Sequence, residues 1–206
     1  MTPDYWQDAC RELAKRDRVM KKLIKQYPEA NLRNRGNSFS TLARAIVGQQ
    51  ISVKAAQSVW NRFADCVGTM KPDNVLKRTD QQLRDCGLSW KKVEYVKDLA
   101  AHFADGRINP RRWMREEDQT IIDELAAVKG IGRWTAEMFL IFYLLRPNVL
   151  PVDDLGLIRG TEKLYFEEGK RLTRKEMLEF GQRWAPWCTV ATWYLWRSID
   201  PEPVEY

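Results

Sequence analysis

Leu125-Ala126-Ala127-Val128-Lys129-Gly130-Ile131-Gly132-Arg133-Trp134-Thr135-Ala136 joins two helical patterns, one carried by Ile121 and Leu125 and the next by Met138, Ile141 and Phe142. Two glycines flanking one apolar residue permit a tight turn with positive φ values and an unobstructed backbone. Exposed amides beside a helix N-terminus make a seat for a phosphate oxygen. Ile131 is expected to point into the core and pin the turn, with Lys129 and Arg133 adding positive charge beside it. Taken alone, Gly-x-Gly reads as a plain helix corner with glycine breakers; the whole string is more specific.

The same periodicity extends in both directions. Apolar residues recur at three- and four-residue steps through Leu42, Ala45 and Ile46, from Leu76 to Leu83, and through Val93, Val96 and Leu99, with no sustained strand alternation. Thr79-Asp80-Gln81-Gln82 and Thr173-Arg174-Lys175-Glu176 are capping-box patterns that open helices. Pro72 and Pro186 fit first-turn positions. Gly87, Gly106 and Gly169 fall where helices should stop. The expectation is an all-α fold of about nine to ten short helices. It forms a single compact domain over 1–206, with the hairpin motif at about 121–145 and a loose tail at 201–206.

Composition excludes several classes. The longest apolar runs, such as Met138 to Leu145, are too short to span a bilayer. The opening residues are polar and lack the apolar core of a signal peptide, so a cytoplasmic or nucleoid-associated protein is expected. Cysteines 10, 66, 86 and 188 have no zinc or iron–sulfur spacing and are expected to be free thiols. A net charge of +6 favours a polyanionic partner, weakly. The chain has nine tryptophans and one histidine, His102, which lies in a helical pattern and reads as structural or solvated. Arg111-Arg112 and Lys91-Lys92 read as solvated faces or as phosphate contacts.

About twenty residues beyond the hairpin comes Val149-Leu150-Pro151-Val152-Asp153-Asp154-Leu155-Gly156. By local pattern both aspartates read as caps of a helix starting at Leu155. Together with Val47-Gly48-Gln49-Gln50-Ile51-Ser52, Arg183-Trp184-Ala185-Pro186-Trp187 and Trp193-Tyr194-Leu195-Trp196, these motifs resemble the helix-hairpin-helix DNA glycosylase superfamily. Within it they resemble the 3-methyladenine (alkylbase) glycosylase II branch, over residues 38 to 198. The chain resembles the compact members, without an added N-terminal β-rich domain.

The resemblance implies a two-lobed helix-hairpin-helix glycosylase fold, with helices from both chain ends as one lobe and the middle helices as the other. It implies a cleft between the lobes opening at the hairpin, with Asp154 at its floor. The implied reaction is hydrolysis of the N-glycosidic bond of an alkylated purine in double-stranded DNA. A carboxylate stabilises the oxocarbenium-like state and orients the water. A base alkylated on a ring nitrogen leaves without a strong general acid, which suits a protein with one histidine. By the resemblance the catalytic residue is Asp154, the aspartate just before Leu-Gly; an alignment on Pro-Val-Asp, as in the lyase branches, would pick Asp153 instead.

Relatives that cleave the strand carry a lysine two residues after the second hairpin glycine. Here Trp134 stands there, so no Schiff base and no lyase activity are expected. The resemblance makes Trp134, Trp196 and Met138 contacts of the flipped base, although some relatives carry an aromatic residue where Met138 stands. Trp184, Trp187 and Trp193 read as core. Gln50, beside Gln49, takes the position that plugs the emptied duplex. Gly130, Gly132, Lys129, Arg133 and Thr135 hold the phosphate. Cys188-Thr189 departs from the Arg-Ser frequent in the branch. No cofactor is required; relatives bind a structural monovalent cation through hairpin carbonyls that correspond to Ala126, Val128 and Ile131. A monomer is expected, with no membrane partner. The competing readings are a glycosylase for uracil, hypoxanthine or oxidised bases, and a non-catalytic helix-hairpin-helix DNA-binding module.

Overall fold

A computed structural model describes residues 2–28, 32 and 36–200; the tail expected at 201–206 lies outside the described residues. In chain order the helices are α1 (Trp6–Arg16), α2 (Arg18–Gln26), α3 (Ser38–Gly48), α4 (Val53–Val67), α5 (Pro72–Leu76), α6 (Asp80–Asp85), α7 (Trp90–Ala104), α8 (Asp118–Ala126), α9 (Arg133–Phe142), α10 (Leu155–Tyr165), α11 (Arg174–Gly181) and α12 (Cys188–Ile199), with a 3-10 turn at Gln182–Trp184. Ten of the twelve have seven or more residues, and there is no strand among the described residues, as the all-α expectation required. None of these helices is long and apolar enough to cross a membrane.

Local chemistry sets most of the helix ends. Thr79 and Thr173 both form complete capping boxes, with Gln82 and Glu176 returning the bond to the cap amide. Pro72 opens α5 at its first turn. Gly87 and Gly106 adopt φ of +96° and +77° just beyond α6 and α7, the left-handed exit that glycine makes without strain. Two expected signals act differently. Pro186 precedes α12, whose N-cap is Trp187; the Trp187 amide bonds the Trp184 carbonyl at 2.8 Å, so the proline sits in the turn between the 3-10 segment and α12. Gly169 lies beyond the end of α10, in a turn that Lys170 closes on the Glu167 carbonyl, so it bends a loop and does not cap a helix.

The chain divides into two compact units, one formed by Met1–Asn34 with Leu140–Tyr206, the other by Arg35–Phe139. In the middle unit α7 is packed by α3, α5 and α6, and α3 also packs on α4. Phe39, Leu42, Ile46, Phe63, Val96 and Leu99 fill its core. His102 is buried there with Nε2 2.9 Å from the Arg107 guanidinium and Nδ1 2.9 Å from the Asp98 carbonyl. A guanidinium only donates, so Nε2 accepts and Nδ1 donates, a structural role.

In the unit built from both chain ends α12 is central, packed by α1, α2, α10 and the 3-10 turn. Gly160 permits the close approach of α10, because a Cβ there would lie 2.9 Å from the Leu195 carbonyl oxygen. Asp17 caps α2 by accepting from the Val19 and Met20 amides at 2.9 and 3.0 Å. Its other oxygen accepts from the Tyr165 hydroxyl at 2.7 Å and the Trp184 indole at 3.2 Å. Trp184 is fully buried, as expected of a core residue, whereas Trp187 and Trp193 are only half-buried, Trp187 stacked on Tyr5 and Trp193 edge-on to Trp6.

Candidate active site

Asp154 and Asp153 are separated by their surroundings. Asp154 is the N-cap of α10: its Oδ1 accepts from the Leu157 amide at 2.6 Å and from the Trp196 indole Nε1 at 2.7 Å, and the residue is 8% exposed. Asp153 points outward to the Arg174 guanidinium at 2.9 Å. Adjacent residues leaving a turn diverge, so one carboxylate is enclosed and the other is an exposed ion pair worth little.

Trp196 links this carboxylate to an aromatic face. Its ring stacks on Phe142 at a centroid distance of 5.6 Å and an interplanar angle of 9°. Phe142 was not a sequence candidate; its apolar spacing on α9 is that of any core residue. Gly156 makes room for the pair, since a Cβ there would lie 2.8 Å from Trp196 Cδ1 and 3.1 Å from Asp154 Oδ1. Thr189 holds the segment that leads into this turn. Its hydroxyl donates to the Arg146 carbonyl at 2.6 Å and accepts from the Val149 amide at 3.0 Å. The Cys188-Thr189 departure thus has a structural use at its second position.

In the middle unit the hairpin forms as the glycine pattern implied, with one correction. Gly130 has φ +81°, and a Cβ there would sit 2.2 Å from the Tyr95 ring. Gly132 is not left-handed and has open space around it; its carbonyl accepts from the Ala136 amide at 3.0 Å, so it acts as the cap of α9. A glycine cap brings no side-chain acceptor of its own to the first-turn amides of Arg133, Trp134 and Thr135. Ile131 is buried, and its amide closes the turn on the Val128 carbonyl at 3.1 Å.

The cations of the hairpin have protein partners. Lys129 Nζ lies 2.5 Å from Glu94, while its amide donates to Asp98 at 2.8 Å. The Glu94 carboxylate raises the Lys129 pKa above the ordinary lysine value. Arg133 donates to the buried Glu137 at 2.9 Å and to Gln119 at 3.0 Å. Trp134 is 38% exposed, Thr135 half-buried, and Met138, one turn on, buried.

The Gly48-Gln49-Gln50 turn touches this hairpin directly: Gln49 Nε2 donates to the Gly130 carbonyl at 2.8 Å. Gln50 is exposed at φ +59°, a region that a residue with a Cβ seldom adopts. Lys92, read from sequence as a solvated or phosphate-contacting lysine, instead directs its ammonium at the Val47 and Gln49 carbonyls, both at 2.8 Å. Arg112 pairs with Glu124 at 3.3 Å. No group of three or more His, Cys, Asp or Glu among the described residues is placed to hold a metal ion, and all four cysteines are free thiols.

Comparison with known proteins places the chain in a family. Residues 43–186 match the family model of the HhH-GPD superfamily base excision DNA repair protein. The chain is 33% identical over 181 residues to DNA-3-methyladenine glycosylase 1 of Schizosaccharomyces pombe, covering 86% of this chain and 79% of that protein. It is similar in structure to a DNA-3-methyladenine glycosidase from Bacillus halodurans, with a TM-score of 0.84, 35% identity, and coverage of 97% of this chain and 92% of that one. It is also similar to the S. pombe 3-methyladenine DNA glycosylase in complex with abasic DNA, with a TM-score of 0.78, 32% identity, and coverage of 93% and 96%. An α-helical chain with a glycine-capped hairpin and an enclosed aspartate at the following helix start thus belongs to the HhH-GPD superfamily of base excision DNA repair proteins.

Proposed function

We propose that this protein is a monofunctional DNA glycosylase that hydrolyses the N-glycosidic bond of alkylated purines, of the 3-methyladenine and 7-methylguanine type, in double-stranded DNA. The observation that carries the reading is Asp154, a carboxylate enclosed at a helix N-terminus with Oδ1 fixed by two donors. A helix start favours negative charge. A fixed carboxylate stabilises the positive charge that builds on the anomeric carbon as the bond breaks, and orients the water that adds there. Asp153, paired with Arg174, is left outside this chemistry.

The leaving group fits the rest of the site. An alkylated purine carries positive charge, and the electron-rich face of Trp196 attracts it by roughly 1–2 kcal/mol when desolvated. Trp134 and Met138 on α9 are the further proposed base contacts. Residue 134 has no amine, so the sugar is released to water and the abasic strand stays intact. The hairpin amides around Gly130 and Gly132 take a phosphate, with Lys129, Arg133 and Thr135 beside them, and Gln50 fills the space left by the flipped base. A monovalent cation at the Ala126, Val128 and Ile131 carbonyls would add charge next to that phosphate. The Val128 oxygen keeps one lone pair beyond its bond to the Ile131 amide, as a ligand of such an ion needs. The protein is proposed to act as a monomer on chromosomal DNA in the cytoplasm.

A non-catalytic DNA grip is disfavoured by the same aspartate, because a pure binder gains nothing from an enclosed anion beside DNA. The deciding experiment is base release from methylated duplex by wild type and Asp154→Asn, with the freed bases separated by chromatography. Release of 3-methyladenine or 7-methylguanine that vanishes in the variant, while DNA binding survives, is the expected result. Near-normal release by the variant would sink the assignment. Release of only uracil, hypoxanthine or oxidised bases would move the protein to another substrate class, and strand nicking by the wild type would contradict the monofunctional reading.

A further inference from the structure

Gln50 is held in a conformation that its chain does not favour. A left-handed residue with a Cβ is disfavoured relative to its ordinary regions, so surrounding contacts must determine it. The Gly48-Gln49-Gln50 turn follows directly on the end of α3, where the last carbonyls lack intrahelical partners. Lys92 Nζ donates to two carbonyls there, those of Val47 and Gln49, at 2.8 Å each. Burial lowers the Lys92 pKa below the usual lysine value, so this ammonium is partly stripped of water.

The position of Lys92 on its own helix makes the point sharper. It is the third residue of α7, where the helix dipole disfavours a cation, and Ser89 already caps its amide. Nothing in α7 calls for a lysine here. The C-terminus of α3 does: a cation there is matched to the dipole and supplies the missing donors. Gln49 completes the arrangement by tying the turn to the Gly130 carbonyl of the hairpin.

We infer that Lys92 is a positioning residue for base flipping: its ammonium locks the Gly48–Gln50 turn so that Gln50 is preformed as the wedge and kept in register with the hairpin. This inference rests on the proposed wedge role of Gln50. Lys92 therefore contributes to flipping and excision and little to the affinity for undamaged DNA.

The test is Lys92→Met, which keeps the apolar stem and removes every donor. Three readouts are taken on the intact protein: 2-aminopurine fluorescence beside the lesion for flipping, single-turnover base release, and the salt dependence of binding to undamaged duplex. Both flipping and release are expected to fall about tenfold, the scale of losing charge-assisted bonds to two carbonyls. The affinity for undamaged duplex and its salt slope should stay unchanged. A slope reduced by about one ion, with flipping intact, would make Lys92 a phosphate contact and overturn the inference.

The Gln50→Asn background supplies a readout that a merely structural lysine would not move. Asparagine tolerates the left-handed region, so the cost of Lys92→Met should shrink there to about threefold. An equal cost in both backgrounds would overturn the positioning role. Gln50→Ala separates the two failures. Lowered flipping by Gln50→Ala, with none by Lys92→Met, rejects Lys92 alone, whereas unchanged flipping by Gln50→Ala rejects the wedge and the inference with it.

Discussion

The Trp196 indole donates to Asp154 Oδ1 at 2.7 Å, and that same ring lies parallel to Phe142. One side chain therefore orients the proposed catalytic carboxylate and presents a flat face. Trp196→Phe separates these roles, because phenylalanine keeps an aromatic face and loses the donor. Single-turnover release should fall about tenfold, the worth of one hydrogen bond to a charged group. Asp154→Asn should cost more than a hundredfold, as the loss of a fixed group facing developing charge does. Equal losses in the two variants would contradict this division.

Gly156→Ala sets helix preference against the site. Alanine in the first turn of α10 is favoured over glycine by at most about 1 kcal/mol, the value for a helix interior. Its Cβ, however, would crowd Trp196 Cδ1 at 2.8 Å and Asp154 Oδ1 at 3.1 Å. The indole must then move by some tenths of an ångström. Excision should drop several-fold or more while the thermal midpoint changes little, measured by parallel kinetics and thermal unfolding. A variant with full activity would show that the pair tolerates displacement.

At Gly130 strain and crowding act together. Gly130→Ala places a Cβ 2.2 Å from the Tyr95 ring at a φ of +81°. The expected loss is about 2 kcal/mol or more in denaturant unfolding, with weakened binding to undamaged duplex. Adding Tyr95→Ala removes the clash and leaves the backbone strain. The double variant should therefore bind better than Gly130→Ala and still worse than Tyr95→Ala.

The cap of α11 has a pH signature. Glu176 is bonded by Lys170, then by the Thr173 amide and hydroxyl, which pull its carboxyl down to about 2 from an ordinary value of 4.5. The folded value is the lower one, so the stabilisation is present above pH 4.5 and is lost as pH falls towards about 2. Wild type should exceed Glu176→Gln in stability at neutral pH, and the gap should close across that window. A gap that is independent of pH would rule out the carboxylate as its source.

The all-α class, the capping boxes at Thr79 and Thr173, the first-turn Pro72 and the turn at Gly130 were legible in the sequence, because each follows from interactions within a few residues. The aspartate motif was also legible, but both aspartates fit it. The difference between them is made by Trp196, forty-two residues away, which encloses Asp154, and by Arg174, which draws Asp153 outward. Phe142 acquires its stacking role, and Lys92 its two carbonyl partners, only through packing between distant segments. The left-handed Gln50 has no local signature either, since glutamine does not favour that conformation. Local propensity thus determined which helices form and where they turn. Tertiary packing decided which carboxylate is enclosed, because partners far along the chain set the hydrogen bonds and burial that distinguish two identical side chains.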